Sequence, residues 1–295
     1  MMDLDFYIVD VFSRGKYTGN QLAVFTEGHQ ISSEEMQSIA NEINFAETTF
    51  IVSGKKRENG YDVRIFTPNE EIPYAGHPAL GTACVLRKEI LQHTTMRSVI
   101  LHFQGGSTEV IFHNDNGVLW MNQNEPYFGS EIDKDIIADV LNIDVSNIDC
   151  RYPVQEVSTG LPVIVVPLKS IAAIKEVHIN KEKYYHLIEN LAAKGIMVFT
   201  SETYEEINDL NVRDFADYYG IPEDAATGSS NGCLAAYLLK YRYFGTEKVD
   251  MRVEQGYEIN RPSLIHIQAE KVASKINVSV GGKVESIASG KWIIS

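Results

Sequence analysis

One glutamate in this 295-residue chain lies among apolar residues in a way that suits acid/base chemistry. Glu47 occurs in the run NFAETTF, where Phe45, Ala46 and Phe50 surround it in sequence. A carboxyl group buried among apolar side chains has its pKa raised toward neutrality, as a general acid/base requires. Glu47 is therefore a candidate proton-transfer group. An ordinary solvated turn residue is the alternative that the pattern leaves open.

Two further titratable residues lie beside segments without formal charge. His77 follows Gly76 in YAGHPALGTA, and residues 73–85 carry no charge when the imidazole is neutral. Asp224 directly precedes a second such segment, residues 225–239. Both are candidate acid/base groups. A satisfied core histidine and a helix-capping aspartate are the structural alternatives.

Both uncharged segments are predicted to be helices enclosed by strands. The first is expected from about residue 77 to 91 and the second from about 229 to 241. A helix without a polar face must be covered on all sides. Short β-branched and aromatic runs such as DFYIVDVF, YDVRIF and LPVIVVPL supply the strands, so each helix is expected inside a curled sheet.

Surface helices are predicted elsewhere from apolar periodicity. SSEEMQSIANEI has an apolar stripe, and Ser32 and Glu35 have the spacing of a capping box. KDIIADVL and KYYHLIENLAAK are weaker amphipathic candidates.

The first turn of each uncharged helix is a candidate anion site. Four N–H groups are unpaired at a helix start, and glycines such as Gly76 and Gly228 let a ligand approach the backbone. Two such starts facing one ligand would hold a small carboxylate, and uncharged surroundings would strengthen each hydrogen bond.

The two halves of the chain repeat the same landmarks. YTGNQLAVF and STGLPVIVV share a Thr-Gly turn offset by 141 residues, and the two glycine-led helices are offset by 152. This pattern predicts an internal duplication, with domains at residues 1–123 and 124–295 and a last strand that can cross back to the first. Chance similarity of two glycine-led helices is the alternative.

Composition narrows the classes of partner. A formal net charge of -14 disfavours nucleic acid, and no apolar run reaches the roughly 20 residues of a membrane span. The start MMDLDFYIVDVF lacks the basic residues of a signal peptide, so a cytoplasmic location is expected. Three dispersed cysteines and eight histidines without HxH or HExxH spacing indicate neither a disulfide framework nor a metal site.

Two motif look-alikes are weaker. GHPALGT has the glycine frame of a phosphate loop but lacks its lysine, so it is a poor nucleotide site. GSSNG, residues 228–232, matches G-x-S-x-G with Ser230 as nucleophile, and a serine hydrolase stays an alternative. That motif requires an apolar strand directly before it, which IPEDAAT is not.

Five motifs together resemble the PhzF-like family, named for an isomerase of phenazine biosynthesis. They are DVFSRGKYTGNQLAVF, NEINFAETTFI, VRIFTPNEEIPYAGHPALGTA, VSTGLPVIVVPL and EDAATGSSNGCLAAYL, in order along nearly the whole chain. The resemblance implies the α+β fold of diaminopimelate epimerase. In that fold, two pseudo-symmetric domains each roll a mostly antiparallel sheet around a central helix, and the active site lies between the domains.

The resemblance also implies roles for particular residues. Glu47 becomes the catalytic carboxylate, with supporting acid/base or contact roles for His77 and Asp224. The implied substrate contacts are Gly76, Gly228, Ser229 and, on weaker grounds, Asn20. TGNQ differs from the family's commoner TGNP, which affects local turn geometry.

Related amino-acid epimerases use two cysteines at the helix starts, where this chain has Ala75 and Thr227. A two-thiol racemase is therefore disfavoured. The resemblance therefore favours a cofactor-independent isomerase that moves a proton between carbons of a small carboxylic acid, and it implies a homodimer. A small-anion binding protein on the same scaffold, without turnover, is the alternative from another class.

Overall fold

The computed structural model describes residues 2–53, 60–73, 76–92, 96–113 and 116–294. The chain divides into unit 1, Met1–Asn122 with Gly281–Ser295, and unit 2, Gln123–Val280. The sequence analysis assigned residues 281–295 to the second domain unless the last strand crossed back. They group with unit 1 because the final strand pairs with the first strand of the chain from Met2↔Ile294 to Val11↔Val284.

Unit 1 is built on a continuous strip of paired strands. Its order is β18–β1–β2–β3–β4–β6–β7–β8, with β5 also paired to β4. The pairs β2–β3 and β4–β6 are parallel and the others are antiparallel. The strands are β1 (Met2–Val11), β2 (Asn20–Phe25), β3 (Glu47–Ile51), β4 (Gly60–Phe66), β5 (Glu71–Ile72), β6 (Ser98–Phe103), β7 (Gly106–Phe112), β8 (Leu119–Asn122) and β18 (Val284–Ile294).

The central helix of unit 1, α2, spans His77–Val85, and every one of its residues is buried. It contacts β1, β2, β3, β6, β7, β8 and β18, so the strip of strands curls around it. The predicted enclosure is confirmed. The predicted end near residue 91 was too late for the α-helix, which passes into a π-helical turn, Leu86–Ile90, where charged residues begin.

A second helix of unit 1, α1 (Ser33–Ile43), packs outside the strip. Ser32 Oγ accepts a hydrogen bond from the Glu35 N–H at 3.2 Å, as the capping spacing predicted. Its apolar side joins a cluster in which Phe25 of β2 stacks on Phe50 of β3 with ring centroids 4.9 Å apart. This packing fixes β3, whose first residue is Glu47.

Unit 2 repeats the alternation of pairings seen in unit 1. Its order is β9–β10–β11–β12–β13–β15–β16, with β14 paired to β13; β11–β12 and β13–β15 are parallel. The strands are β9 (Tyr127–Ile132), β10 (Val154–Ser158), β11 (Pro162–Pro167), β12 (Gly195–Thr200), β13 (Leu210–Ala216), β14 (Ile221–Asp224), β15 (Lys248–Gln255), β16 (Ser263–Val272) and β17 (Lys275–Gly282), whose end passes into unit 1.

The central helix of unit 2, α6, spans Gly228–Lys240 and is buried except at Ser229 and Lys240. It contacts β10, β11, β15 and β16. Three further helices form an outer layer whose apolar residues share a second core with β10–β13. They are α3 (Lys134–Leu141), α4 (Ile171–Glu176) and α5 (Lys181–Ile188), of which the sequence analysis missed α4.

Each unit is thus a rolled, mostly antiparallel sheet around a buried helix, and the fold class is α+β as predicted. No helix among the described residues is long and apolar enough to cross a membrane.

Close packing of α2 gives a stability prediction at Gly81. A Cβ there would lie 2.5 Å from Leu22 Cδ2 and 3.0 Å from Val11 Cγ2. Overpacking of this kind costs about 1–3 kcal/mol, against about 1 kcal/mol gained in helix propensity. Urea unfolding of Gly81→Ala should show a net loss of up to about 2 kcal/mol. Gly195→Ala is the matched control, because its added Cβ meets nothing closer than 3.5 Å. Equal stability of both variants would contradict the tight packing.

Candidate active site

Glu47 is the first residue of β3 and pairs with Leu22 of the parallel strand β2. Its side chain is 16% exposed, but Oε2 is buried and accepts no well-aligned hydrogen bond from the described residues. Burial raises the pKa of Glu47 to about 7. The expected raised pKa is therefore present, and its cause is loss of solvation.

His77 is the first residue of α2 and lies beside Glu47. Its Nε2 is 3.2 Å from Glu47 Oε2, and its Nδ1 is 3.4 Å from Asn20 Nδ2. An amide nitrogen only donates, so in this orientation Nδ1 accepts and the proton of the neutral ring lies on Nε2. The imidazole N–H is thus on the side of Glu47.

Three chain elements begin at this point of unit 1. Asn20 opens β2, Glu47 opens β3, and His77 opens α2 after the N-cap Gly76. Parallel strands begin at the same edge of a sheet, which brings the first residues of β2 and β3 together. Among the described residues, no atom lies within 4 Å of where a Gly76 Cβ would be, so the helix start has open space beside it.

A second polar cluster lies at the start of α6 in unit 2. Thr227, the N-cap, donates from Oγ1 to Asp224 Oδ2 at 2.5 Å. Gln255 Nε2 donates to Thr227 Oγ1 at 3.0 Å, and Gln255 Oε1 accepts from Asn231 Nδ2 at 3.0 Å. The Thr227 hydroxyl oxygen accepts a hydrogen bond from Gln255, and the hydroxyl donates its own proton to the Asp224 carboxyl group.

Sequence analysis missed Asp214, which lies on β13 directly opposite Asp224 on β14. Burial, followed by the negative charge of Asp224, raises the pKa of Asp214 to about 8, and the Ser230 side chain opposes the shift. The signal was present in the sequence: VRDFA in the second half has aspartate where VRIFT in the first half has isoleucine.

The structure thus groups the predicted site residues within each unit. Unit 1 brings together Glu47, His77, Asn20 and Gly76. In unit 2, Asp224 and Thr227 lie before the first turn of α6, which contains Gly228 and half-buried Ser229. Ala75 lies outside the described residues.

Ser230 has surroundings unlike those of a hydrolase nucleophile. It lies in the first turn of α6, and no described histidine hydrogen-bonds to it. The Asp214 carboxyl is the acid it approaches. The described residues contain no group of three His, Cys, Asp or Glu side chains placed to hold a metal ion.

The same fold occurs in a solved structure of very different sequence. A probable proline racemase from Agrobacterium radiobacter superposes with a TM-score of 0.66 over 99% of this chain and 93% of its own. At 9% sequence identity this is a likeness of fold alone.

Sequence comparison identifies the family. The protein-family model described as "phenazine biosynthesis-like protein" (PhzC-PhzF) matches residues 9–290 of this chain. A trans-2,3-dihydro-3-hydroxyanthranilate isomerase of Pseudomonas fluorescens is 32% identical over 98% of this chain and 99% of its own length. A Bacillus anthracis phenazine biosynthesis protein of the PhzF family superposes with a TM-score of 0.91 at 25% identity over 100% of both chains. The chain belongs to the phenazine biosynthesis-like family, and it is an isomerase.

The raised pKa of Glu47 predicts how stability depends on pH. Native Glu47 keeps a proton that the unfolded chain releases between its ordinary pKa of 4.5 and about 7. Because the native state binds more protons in this window, rising pH favours unfolding, by up to about 3 kcal/mol. Glu47→Gln removes this penalty. Its unfolding free energy in urea should gain on the wild type as pH rises from 4.5 to 8.

The matched control is Glu42→Gln, an acid-to-amide change at an exposed position of α1. Its difference from the wild type should stay constant over the same pH range. A constant difference for Glu47→Gln as well would show that Glu47 ionises normally.

Proposed function

We propose that this isomerase moves a proton between two carbons of a small carboxylic acid, with Glu47 as the group that carries it and without a cofactor. One observation supports the proposal most. The Glu47 carboxyl has a pKa of about 7 and lies 3.2 Å from His77 Nε2. A carboxyl group poised near neutrality both accepts and returns a proton at physiological pH.

The proposed reaction balances without any other reactant. The Glu47 carboxylate accepts a proton from one carbon, and the electron pair of that C–H bond enters the conjugated system. The resulting carboxylic acid returns the proton to another carbon of the same system, and the double bonds shift. No net oxidation occurs, and one carboxyl group acts on a single face of the substrate.

His77 is proposed to support the ionised form of Glu47. The Nε2 proton of the neutral ring is available to the carboxylate whenever it has given its own proton to the substrate. Asn20, whose amide nitrogen lies 3.4 Å from Nδ1, holds the ring in the required tautomer. The anionic state of the cycle is thereby stabilised without a permanent positive charge.

Helix starts are proposed to contact the substrate carboxylate. Gly76 in unit 1 and Gly228 and Ser229 in unit 2 lie where N–H groups of α2 and α6 lack helical partners. Asp224 has a supporting acid/base or contact role. Trans-2,3-dihydro-3-hydroxyanthranilate, the substrate in the names of several relatives, is the first compound to test, followed by amino and other dihydroaromatic acids.

A two-thiol racemase remains disfavoured. Thr227 occupies the start of α6, where a threonine hydroxyl is a far weaker acid than a thiol. Cys233, the nearest cysteine in sequence, lies in the interior of α6, and burial raises its pKa to about 11. This thiol therefore stays protonated near neutral pH.

Glu47→Gln tests the function directly. The amide keeps the shape of the side chain but cannot accept a proton from carbon. Turnover should fall by about a hundredfold or more, while substrate binding survives. Incorporation of deuterium from heavy water into the substrate, followed by NMR, should disappear with turnover. Glu42→Gln should match the wild type in both measurements.

Two results would contradict the proposal. Unchanged turnover in Glu47→Gln would remove this carboxyl from the mechanism. Binding of the acids with no turnover or deuterium incorporation in the wild type would favour the small-anion binding protein instead.

A further inference from the structure

Two buried carboxyl groups lie side by side in unit 2. Asp214 of β13 and Asp224 of β14 occupy directly opposite positions of an antiparallel pair. They are only 2% and 8% exposed. Like charges directly opposite on neighbouring strands are destabilising, and more so without water. A pair that carries two charges would therefore weaken the native state.

Unit 1 shows that the fold does not require this pair. In both units a V-R-x-F strand places its arginine against a glutamate on the next strand: Arg64 pairs with Glu71 at 2.6 and 2.7 Å, and Arg213 with Glu223 at 2.7 and 2.9 Å.

The residues that directly follow this arginine and this glutamate differ between the units. In unit 1 they are Ile65 and its partner Ile72. In unit 2 the same positions are Asp214 and Asp224. An apolar pair satisfies the strand geometry, so the two carboxyl groups of unit 2 call for a functional explanation.

No cation is among the described groups that act on Asp214. Asp224 and Glu223 of β14 act on Asp214, and Arg213 engages Glu223. From α6, Asp214 meets Ser230 and Cys233, whose thiol stays protonated because burial raises its pKa to about 11. The residue opposite on β12 is Met197. Asp214 is therefore surrounded by neutral or acidic groups.

Hydrogen-bond directions decide which carboxyl group holds the proton. Thr227 donates to Asp224, because its own oxygen accepts from Gln255. Accepting a hydrogen bond favours the charged form of a carboxylate. The Ser230 side chain favours the charged form of Asp214, but Asp214 Oδ2 is buried without a well-aligned partner among the described residues, and burial with the Asp224 charge outweighs Ser230. The two environments push the members of the pair in opposite directions.

We propose that Asp214 is a positioning residue that holds the single proton of an acid–carboxylate pair with Asp224, and so limits the charge beside the first turn of α6 to one. This limit lets an anionic substrate bind at Gly228 and Ser229. The inference deepens the proposed function and rests on its assignment of a substrate carboxylate to this helix start.

Protonation of the pair is measured without turnover. Glu47 is also protonated at pH 6, so the measurement is made in the Glu47→Gln background. The infrared spectrum of Glu47→Gln at pH 6 should contain the carbonyl band of a buried carboxylic acid, and the double variant with Asp214→Asn should lack it. The native state keeps a proton that the unfolded chain has released, so ionisation of Asp214 should shift folding toward the unfolded state, up to tenfold per pH unit, between about 4 and about 8. In the Glu47→Gln background, which removes the slope due to Glu47, Asp214→Asn should lose this slope.

The matched control is Asp250→Asn, because Asp250 is an exposed carboxylate on β15 of the same unit. In the same Glu47→Gln background it should keep both the infrared band and the slope. Asp214→Ile, which recreates the residue of unit 1, is a second variant for both measurements if the amide does not fold. A Glu47→Gln protein without the band, or unchanged slopes when the Asp214 variants are added to it, would show that Asp214 is ionised and would overturn the proposal.

The functional step is tested in a Glu47→Gln background, which isolates binding from catalysis. The probe is trans-2,3-dihydro-3-hydroxyanthranilate, titrated by calorimetry from pH 6 to 10. Its Kd should rise about tenfold per pH unit above about 8 as Asp214 ionises, and Asp214→Asn should remove the rise. Asp250→Asn should keep it.

The outcomes separate this proposal from the proposed function. Equal pH dependence of Kd with and without Asp214→Asn, or no binding of the probe at any pH, would overturn the charge-limiting role. The protein with Glu47 intact could bind the probe tightly, in a way that depends on Asp214, and yet show no turnover. That result would support the acid–carboxylate pair and contradict the proposed isomerisation. If turnover is lost in Glu47→Gln, but adding Asp214→Asn leaves the pH dependence of Kd unchanged, the role of Asp214 is contradicted and the proposed function is not.

Discussion

Each site depends on the burial of a central helix by the strands around it, which excludes water from the helix. α2 is buried along its whole length, so its position is set by strands on every side and its first residue cannot move independently of the sheet. His77 is therefore placed by the packing of the core. The same packing keeps solvent from Glu47 Oε2, and the lost solvation energy becomes a raised pKa.

Desolvation acts on two carboxyl groups with different consequences. Glu47 has a pKa of about 7 and faces an imidazole, which suits a group that gains and loses a proton in every cycle. Asp214 has a pKa of about 8 and faces another carboxyl group, which suits a proton that stays in place. Neighbouring groups, more than burial itself, distinguish a group that exchanges its proton from one that keeps it.

The two units share one scaffold but differ in the side chains that they place on it. Both units keep the arginine–glutamate pair beside the strand that leads into the central helix. They differ at the adjoining cross-strand pair, which is Ile65–Ile72 in one unit and Asp214–Asp224 in the other. The ion pair that both units contain serves their common geometry. The adjoining pair can differ because isoleucine at this position in unit 1 shows that the fold tolerates an apolar residue there.

The sequence by itself determined the enclosed helices and the candidate catalytic carboxyl group. Charge-free segments after Gly76 and before Lys240 must be covered on all sides, and apolar neighbours around Glu47 predict a raised pKa. These are local properties, readable from composition and spacing. Only the tertiary structure decided that His77 and Asn20 converge on Glu47, since they meet through the pairing of β2 with β3 and the entry of α2. Likewise, the return of β18 to unit 1 and the apposition of Asp214 with Asp224 depend on strand register, which arises from long-range pairing that no local pattern encodes.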